Sequence, residues 1–92
     1  MARRIAPPPP LTKAELATIA QLEAHWRNVV GRNIRRLRSD AGWSQTHLAV
    51  RAHVNTGHLG QVELGRRAPT TDFITRLAFA LGVAPMDFYS ES

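Results

Sequence analysis

The chain has 92 residues, a formal net charge of +5 and an apolar content of 43%, which together allow one compact domain with an arm. It contains no cysteine, so disulfides and thiolate metal sites are excluded, and this is typical of a reducing cytosol. No apolar run approaches the length of a membrane span, and prolines rather than an apolar segment follow the first residues. We therefore expect no membrane association, no secretory signal and a cytoplasmic location.

The positive charge is concentrated in the middle of the chain. Eleven of the twelve basic residues are arginine, whose planar fork suits phosphate groups. Residues 26–67 contain eight arginines against Asp40 and Glu63, a local net charge of +6, whereas residues 68–92 have a net charge of −2. This distribution suggests that one face is turned toward a polyanion, the alternative being an arginine-rich surface that is merely solvated.

The N-terminal region divides into an arm and a helix. Residues 1–10 end in four prolines, which predicts an extended, flexible Pro-rich arm. Thr12 and Glu15 form a capping-box pattern, and Leu16, Ile19 and Trp26 follow at helical spacing, which predicts an additional helix over 11–26. Because an exposed apolar stripe is unfavourable, we expect this helix to pack beside the last helices or in a dimer interface. Whether it continues into the next helix or bends near 28–31 is left open.

The middle of the chain predicts a second helix followed by two short helices. Val30, Ile34, Leu37 and Ala41 form the apolar face of the second helix, which Gly42 ends. Ser44 is a good N-cap for a helix over 45–52, His53 and Val54 make a turn, and Asn55 caps a helix that runs to Leu64 before Gly65. Two short capped helices joined by a tight turn are typical of a helix-turn-helix.

The C-terminal third predicts one more helix and a final turn. Thr70 caps a segment whose apolar stripe includes Phe73, Ile74 and Leu77, and Gly82 ends it. Pro85 then begins a last helical turn. The fold class is therefore all-α: a compact five-helix domain over 27–92, preceded by the additional helix over 11–26 and the arm over 1–10.

The order and spacing of several segments resemble the Cro/lambda-repressor-like family, also called XRE. The matching segments are Ile-Arg-Arg-Leu-Arg at 34–38, Gly-Trp-Ser-Gln at 42–45, Leu-Ala at 48–49, Val54, Leu59, Val-Glu-Leu-Gly-Arg-Arg-Ala-Pro at 62–69, and Leu-Ala-Phe-Ala-Leu-Gly-Val at 77–83. Each segment alone is weakly specific, but the ordered set is strongly so, and it spans about two-thirds of the chain.

The resemblance implies a DNA-binding site on the recognition helix. It implies base contacts in the major groove and phosphate contacts beside it, and the expected residues are Gln45, Asn55, Thr56, Gly57, His58, Gln61, Arg66, Arg67 and Arg38. It also implies that Arg38 pairs with Glu63, the alternative being two independent surface charges. Two features depart from the family. His53 replaces a glycine in the turn, so either a non-glycine adopts the left-handed conformation there or the turn differs. Gly57 and Gly60 leave the recognition helix with few side chains to touch a base.

Other functions find little support. His47, His53 and His58 have no i, i+4 pair among them, so we expect no metal. No constellation of nucleophile and base is apparent, so we expect no enzyme, cofactor or small-molecule ligand. The predicted function is a sequence-specific DNA-binding transcriptional regulator, a cytoplasmic, nucleoid-associated repressor that binds double-stranded palindromic operators as a homodimer. The alternative is a protein-interaction module, such as an antitoxin-like or assembly partner.

Overall fold

A computed structural model describes residues 6–91, so part of the predicted arm lies outside the described residues. Its elements are α1 (Lys13–Asp40), α2 (Gln45–Ala52), α3 (Thr56–Glu63), α4 (Thr71–Leu81) and a C-terminal 3₁₀ helix (Pro85–Tyr89). The described part contains no strand, which agrees with the predicted all-α class. None of its helices is long and apolar enough to cross a membrane.

The predicted helix count needs correction. The predicted additional helix and the helix after it are one continuous α1 of 28 residues. The predicted last turn, which Pro85 begins, is a 3₁₀ helix. Gly31 lies in the middle of α1 and is buried. A Cβ at this position would lie 2.6 Å from the Glu63 carbonyl oxygen and closer still to that of Val62. Gly31 therefore allows α1 to touch the end of α3, and the helix continues through this residue.

The predicted caps are all present. Glu15 N donates to Thr12 Oγ1 at 3.1 Å while Thr12 N donates to Glu15 Oε1 at 2.9 Å, which completes the capping box. The side chains that accept from the first turns of α2, α3 and α4 are Ser44, Asn55 and Thr70. Each satisfies a backbone N–H that would otherwise lack a partner within its helix.

The turn between α2 and α3 depends on an unusual backbone at His53. This residue has φ 56° and ψ 47°, the left-handed conformation that glycine adopts more readily. It is the one non-glycine residue with positive φ in the described part of the chain. Of the two possibilities left open by the sequence, a left-handed non-glycine or a different turn, the structure shows the first at His53.

A single core holds α3 and the other elements together. Its largest fully buried side chains are Phe88, Ile34, Leu48, Leu59, Leu77, Val29 and Val62. Asn33 of α1 is also buried and donates through Nδ2 to the carbonyl oxygens of Phe88, at 2.8 Å, and Ser90, at 2.7 Å. These hydrogen bonds attach the C-terminal segment to α1.

The N-terminal half of α1 extends beyond this core. Its contacts with the rest of the chain lie at its inner end, where His25 Nε2 is 2.8 Å from Glu91 Oε2 and the ring centroids of Trp26 and Tyr89 are 6.3 Å apart. Farther out, Leu16 and Leu22 are each 52% exposed. The predicted packing against the C-terminal elements is thus seen at His25 and Trp26, whereas Leu16 and Leu22 remain exposed.

Candidate nucleic-acid interface

The helix-turn-helix is positioned by small and apolar side chains. Leu48 and Ala49 of α2 and Leu59 of α3 are buried in the core. Because Ala49 presents only a methyl group, α2 and α3 can approach closely. The N-terminus of α3 and its exposed face are left open to solvent, where Thr56 is half-buried and Gly57 and Gln61 are exposed.

An open cleft of about 480 Å³ lies between α3, the start of α2 and the C-terminal part of α1. Four of the predicted site residues on or beside the helix-turn-helix, Gln45, Thr56, Gly57 and Gln61, meet here, together with Arg38. The full lining is Arg35, Arg38, Gln45, Thr56, Gly57, Gly60, Gln61, Glu63 and Leu64. The cleft therefore presents short polar groups and arginines, a composition suited to an anionic, hydrogen-bonding ligand.

A buried carboxylate organises the floor of the cleft. Arg38 donates from Nε to Glu63 Oε2 at 2.7 Å and from Nη2 to Glu63 Oε1 at 2.9 Å, and from Nη1 to the Trp43 carbonyl oxygen at 2.8 Å. The Glu63 side chain is only 2% exposed and that of Arg38 13%. The predicted Arg38–Glu63 pair is confirmed as a bidentate salt bridge, the strongest geometry for these two groups.

The same pair fixes the charge state of Arg38. The hydrogen bonds that Arg38 donates to the Glu63 carboxylate raise the pKa of Arg38 above its already high ordinary value, although burial opposes the shift. A raised pKa means that the stabilising contribution is present below the unfolded-state value and is lost only as pH rises through the folded-state value. The guanidinium is therefore charged across the whole neutral range.

Gln45 has a structural partner that the sequence did not reveal. Its Nε2 donates to Glu63 Oε1 at 2.9 Å, so the carboxylate binds side chains from both α1 and α2. A Cβ at Gly60 would lie 3.5 Å from Gln45 Oε1, which shows how closely the amide approaches α3. The contact between Gln45 and a phosphate stays a prediction. Because Gln45 is the first residue of α2, the backbone N–H groups at the start of that helix lie beside its side chain.

The predicted base-reading residues do not all share one environment. Asn55 Oδ1 accepts from His58 N at 2.8 Å, so this side chain caps α3. His58 packs edge-on against Phe73, with ring centroids 4.6 Å apart, and lies outside the cleft lining. Thr56, Gly57 and Gln61 face the cleft. Among the α3 residues that line the cleft, Gln61 is therefore the one with a long, exposed side chain.

Arginines flank α3 on two sides. Arg66 and Arg67 follow α3 in an exposed loop, and Arg67 Nη1 lies 3.5 Å from His58 Nδ1. Arg35 lines the cleft on the α1 side and was missed by the sequence analysis. Its position three residues before Arg38, on the same helical face, is the signal that could have found it.

The described residues offer little to a metal ion. Between residues 6 and 91, no group of three or more histidine, cysteine, aspartate or glutamate side chains could hold one.

Two short capped helices, an open polar cleft on the second of them and arginines on both sides define a protein of the helix-turn-helix DNA-binding class.

Comparison with known proteins gives the same class. The sequence profile of the helix-turn-helix domain family matches residues 29–87. The chain is 38% identical over 61 residues to an uncharacterized HTH-type transcriptional regulator, y4dJ, of Sinorhizobium fredii, a match that covers 66% of this chain and 79% of that protein.

Solved structures of regulators resemble it closely. The restriction-modification controller protein C.AhdI from Aeromonas hydrophila superposes with a TM-score of 0.67 at 32% identity, covering 68% of this chain and 96% of that one. The clp gene regulator ClgR from Corynebacterium glutamicum gives 0.65 at 28% identity, covering 68% and 67%. A hypothetical transcription factor, NHTF, from Neisseria gives 0.69 at 32%, covering 74% and 78%.

The chain belongs to the helix-turn-helix domain family. It is a DNA-binding transcriptional regulator and not an enzyme. The family match begins at residue 29, within α1, so the outer half of that helix is an addition to the shared domain.

Proposed function

We propose that this protein is a sequence-specific repressor that binds palindromic operators as a homodimer, with α3 of each copy in the major groove. The observation that carries the proposal is the cleft in which Thr56, Gly57 and Gln61 of α3 lie beside Arg35 and Arg38. A glutamine can make a bidentate contact with adenine, and a threonine methyl can touch that of thymine. C.AhdI, a restriction-modification controller, and ClgR, a clp gene regulator, share the fold.

The homodimer follows from how little one copy can read. The helix α3 has only eight residues, and neither Gly57 nor Gly60 has a side chain with which to contact a base. Two copies related by a two-fold axis would double the number of contacts and match a palindromic site. A dimer on an operator within a promoter excludes the transcription machinery, which is the basis for proposing a nucleoid-associated, cytoplasmic repressor.

Gln61 and Arg67 are expected to contribute in opposite ways. Gln61→Ala should weaken binding to the preferred operator by about 1–3 kcal/mol and barely change binding to random DNA, because it removes a base contact. Arg67→Ala should weaken binding to both DNAs by a similar factor, because it removes a phosphate contact. Fluorescence anisotropy on both duplexes measures this, with melting temperature as the stability control. An equal loss for Gln61→Ala on both duplexes would mean that sequence is read elsewhere or through DNA shape.

The salt dependence of binding tests the role of the arginines. If each copy engages about four phosphates, a plot of log K against log salt for the dimer should have a slope near −7. Titrations on one operator duplex between low and physiological salt measure the slope. A value flatter than about −2 would remove nucleic acid as the principal ligand.

One observation favours the alternative, a protein-interaction module. Phe79 is 86% exposed, and Val50 and Met86 are exposed as well, whereas the readout helix is rich in glycine. Large exposed apolar groups mark contact surfaces with other proteins. Such a module would co-purify with a partner and bind operator and random DNA equally weakly, while the repressor would be enriched at specific genomic sites in a binding selection.

A further inference from the structure

The outer half of α1 presents an apolar stripe that the described chain leaves largely exposed. Leu16, Ile19, Leu22 and Trp26 recur every three or four residues and therefore share one face of the helix. Leu16 and Leu22 are 52% exposed and Trp26 is 39% exposed. Leu11, just before the helix, is exposed as well. A continuous stripe of this kind is unfavourable in water and indicates a partner.

We propose that a second copy of this chain covers the stripe, so that the outer halves of two α1 helices pack against each other in antiparallel orientation around a two-fold axis near Ile19. This arrangement places Leu16 of one copy beside Leu22 of the other. The inference specifies the surface of the homodimer proposed above and rests on that dimer, but it does not depend on DNA binding.

The antiparallel orientation follows from what covers the same face farther along α1. Farther along α1, the same face continues through Val29, Val30 and Ile34, which are buried in the core of the same copy. In a parallel pair, the two helices would carry their own domains on this shared face at the same end, and the domains would collide. In an antiparallel pair, each domain lies beyond the N-terminal end of the other helix. Only this orientation leaves the stripe of both copies accessible.

The charges of the segment permit two copies to approach. Residues 11–27 contain Lys13 and Arg27 against Glu15 and Glu23 and are neutral. The chain as a whole has a net charge of +5, and residues 26–67 alone have a net charge of +6. Two copies facing each other through the arginine-rich surface would repel, whereas the outer half of α1 brings no net charge to the contact.

A groove at the inner end of the stripe offers a second contact. It has a volume of about 220 Å³, and its lining includes Trp26, Tyr89, Ala68 and Pro69. With the two-fold axis at Ile19, Leu11 of the second copy lies level with Arg27, so prolines 7–10 of that copy run across this groove. Extended proline segments are commonly bound in aromatic-lined grooves. In this dimer, the Pro-rich arm of each copy therefore occupies the groove of the other copy.

Cysteine cross-linking tests the pairing directly, because the chain has no cysteine of its own. Ile19→Cys should be joined into a covalent dimer by a short bis-maleimide, because the two copies of this residue face each other. Ala17→Cys, exposed on the opposite side of α1, is the matched control and should remain monomeric on denaturing gels. A mixture of Leu11→Cys and Arg27→Cys chains should give the heterodimer, which a parallel pair would not. Cross-linking of Ile19→Cys no faster than that of Ala17→Cys would overturn the proposal.

Loss of the stripe tests its energetic role. The double variant Leu16→Ser, Leu22→Ser should raise the dimer dissociation constant at least about 100-fold, because four leucines per dimer lose their burial. Its circular dichroism should be unchanged, since both side chains are exposed within one copy. Phe79→Ser is the matched control and should leave the dimer intact in light scattering after gel filtration.

The possible outcomes separate this inference from the proposed function. If Phe79→Ser dissociates the dimer and the double variant does not, the stripe is not the interface, although the dimer stands. If the full chain is monomeric at all concentrations, both the stripe pairing and the homodimer are wrong. If the stripe pairing is confirmed but operator and random DNA bind equally weakly, the repressor proposal fails alone.

Discussion

Arg38→Ala is expected to lower the free energy of unfolding by about 3–5 kcal/mol, because it leaves a buried carboxylate without its charge partner. Glu63 is 2% exposed in its side chain and would keep a single side-chain donor, Gln45. The same substitution should weaken DNA binding, since Arg38 braces α1 against the end of α3 and lines the cleft. Chemical denaturation measures the first effect and anisotropy the second.

Arg35→Ala is the matched control for this prediction. Arg35 lies on the same face of α1 and lines the same cleft, but it is exposed. Its loss should weaken DNA binding while changing stability by less than about 0.5 kcal/mol. A double-mutant cycle of Arg38→Ala with Glu63→Ala should give a coupling energy well above about 0.5 kcal/mol. Additive effects in the cycle would show that the two side chains do not stabilise each other.

Gly31→Ala is expected to destabilise the protein although it replaces glycine within a helix. Helix propensity alone predicts a gain of about 1 kcal/mol. The new Cβ would instead meet backbone oxygens of Val62 and Glu63, the latter at 2.6 Å, and the cost of such overpacking is about 3 kcal/mol or more. The net effect should be a loss of about 2 kcal/mol in denaturant unfolding, together with a displaced α3 and weaker operator binding.

Gly60→Ala provides the contrast. The Cβ at Gly60 would meet its nearest atom, Gln45 Oε1, at an ordinary 3.5 Å, so the propensity gain should prevail and stabilise the fold by up to about 1 kcal/mol. If the alanines at 31 and 60 changed stability in the same direction, the close approach of α1 to α3 would not be the reason that residue 31 is glycine.

Features that depend on a few neighbouring residues were predictable from the sequence. Helix caps are an example. Each N-cap side chain accepts a hydrogen bond from the backbone N–H three residues later in the chain, and these residues are Thr12, Ser44, Asn55 and Thr70. A cap is a local interaction, so the sequence around it contains the necessary information. At His53 the sequence located the turn and left its backbone open between a left-handed conformation and a different turn, and the structure shows the former.

Features that depend on how helices cross were not predictable in the same way. The sequence left open whether the helix continues or bends near Gly31, because the role of this glycine is set by α3, more than thirty residues later. The bonds of Gln45 to Glu63 and of Asn33 to the C-terminal carbonyls are also long-range. The pair of Arg38 and Glu63 was found through the resemblance to the family, which supplied the missing geometry.

The continuity of α1 fixes the distance between the two ends of this helix. A helix of 28 residues is a rod about 42 Å long, with the proposed pairing stripe at one end and the brace to α3 at the other. Because no joint interrupts it, two copies paired through α1 would hold their recognition helices at a fixed distance and angle. Each base pair added between half-sites moves one half-site by about 3.4 Å and turns it by about 35° around the duplex. Such a dimer would accept a single spacing and reject its neighbours, so that operator choice would depend on the length of the spacer as well as on the bases that α3 touches.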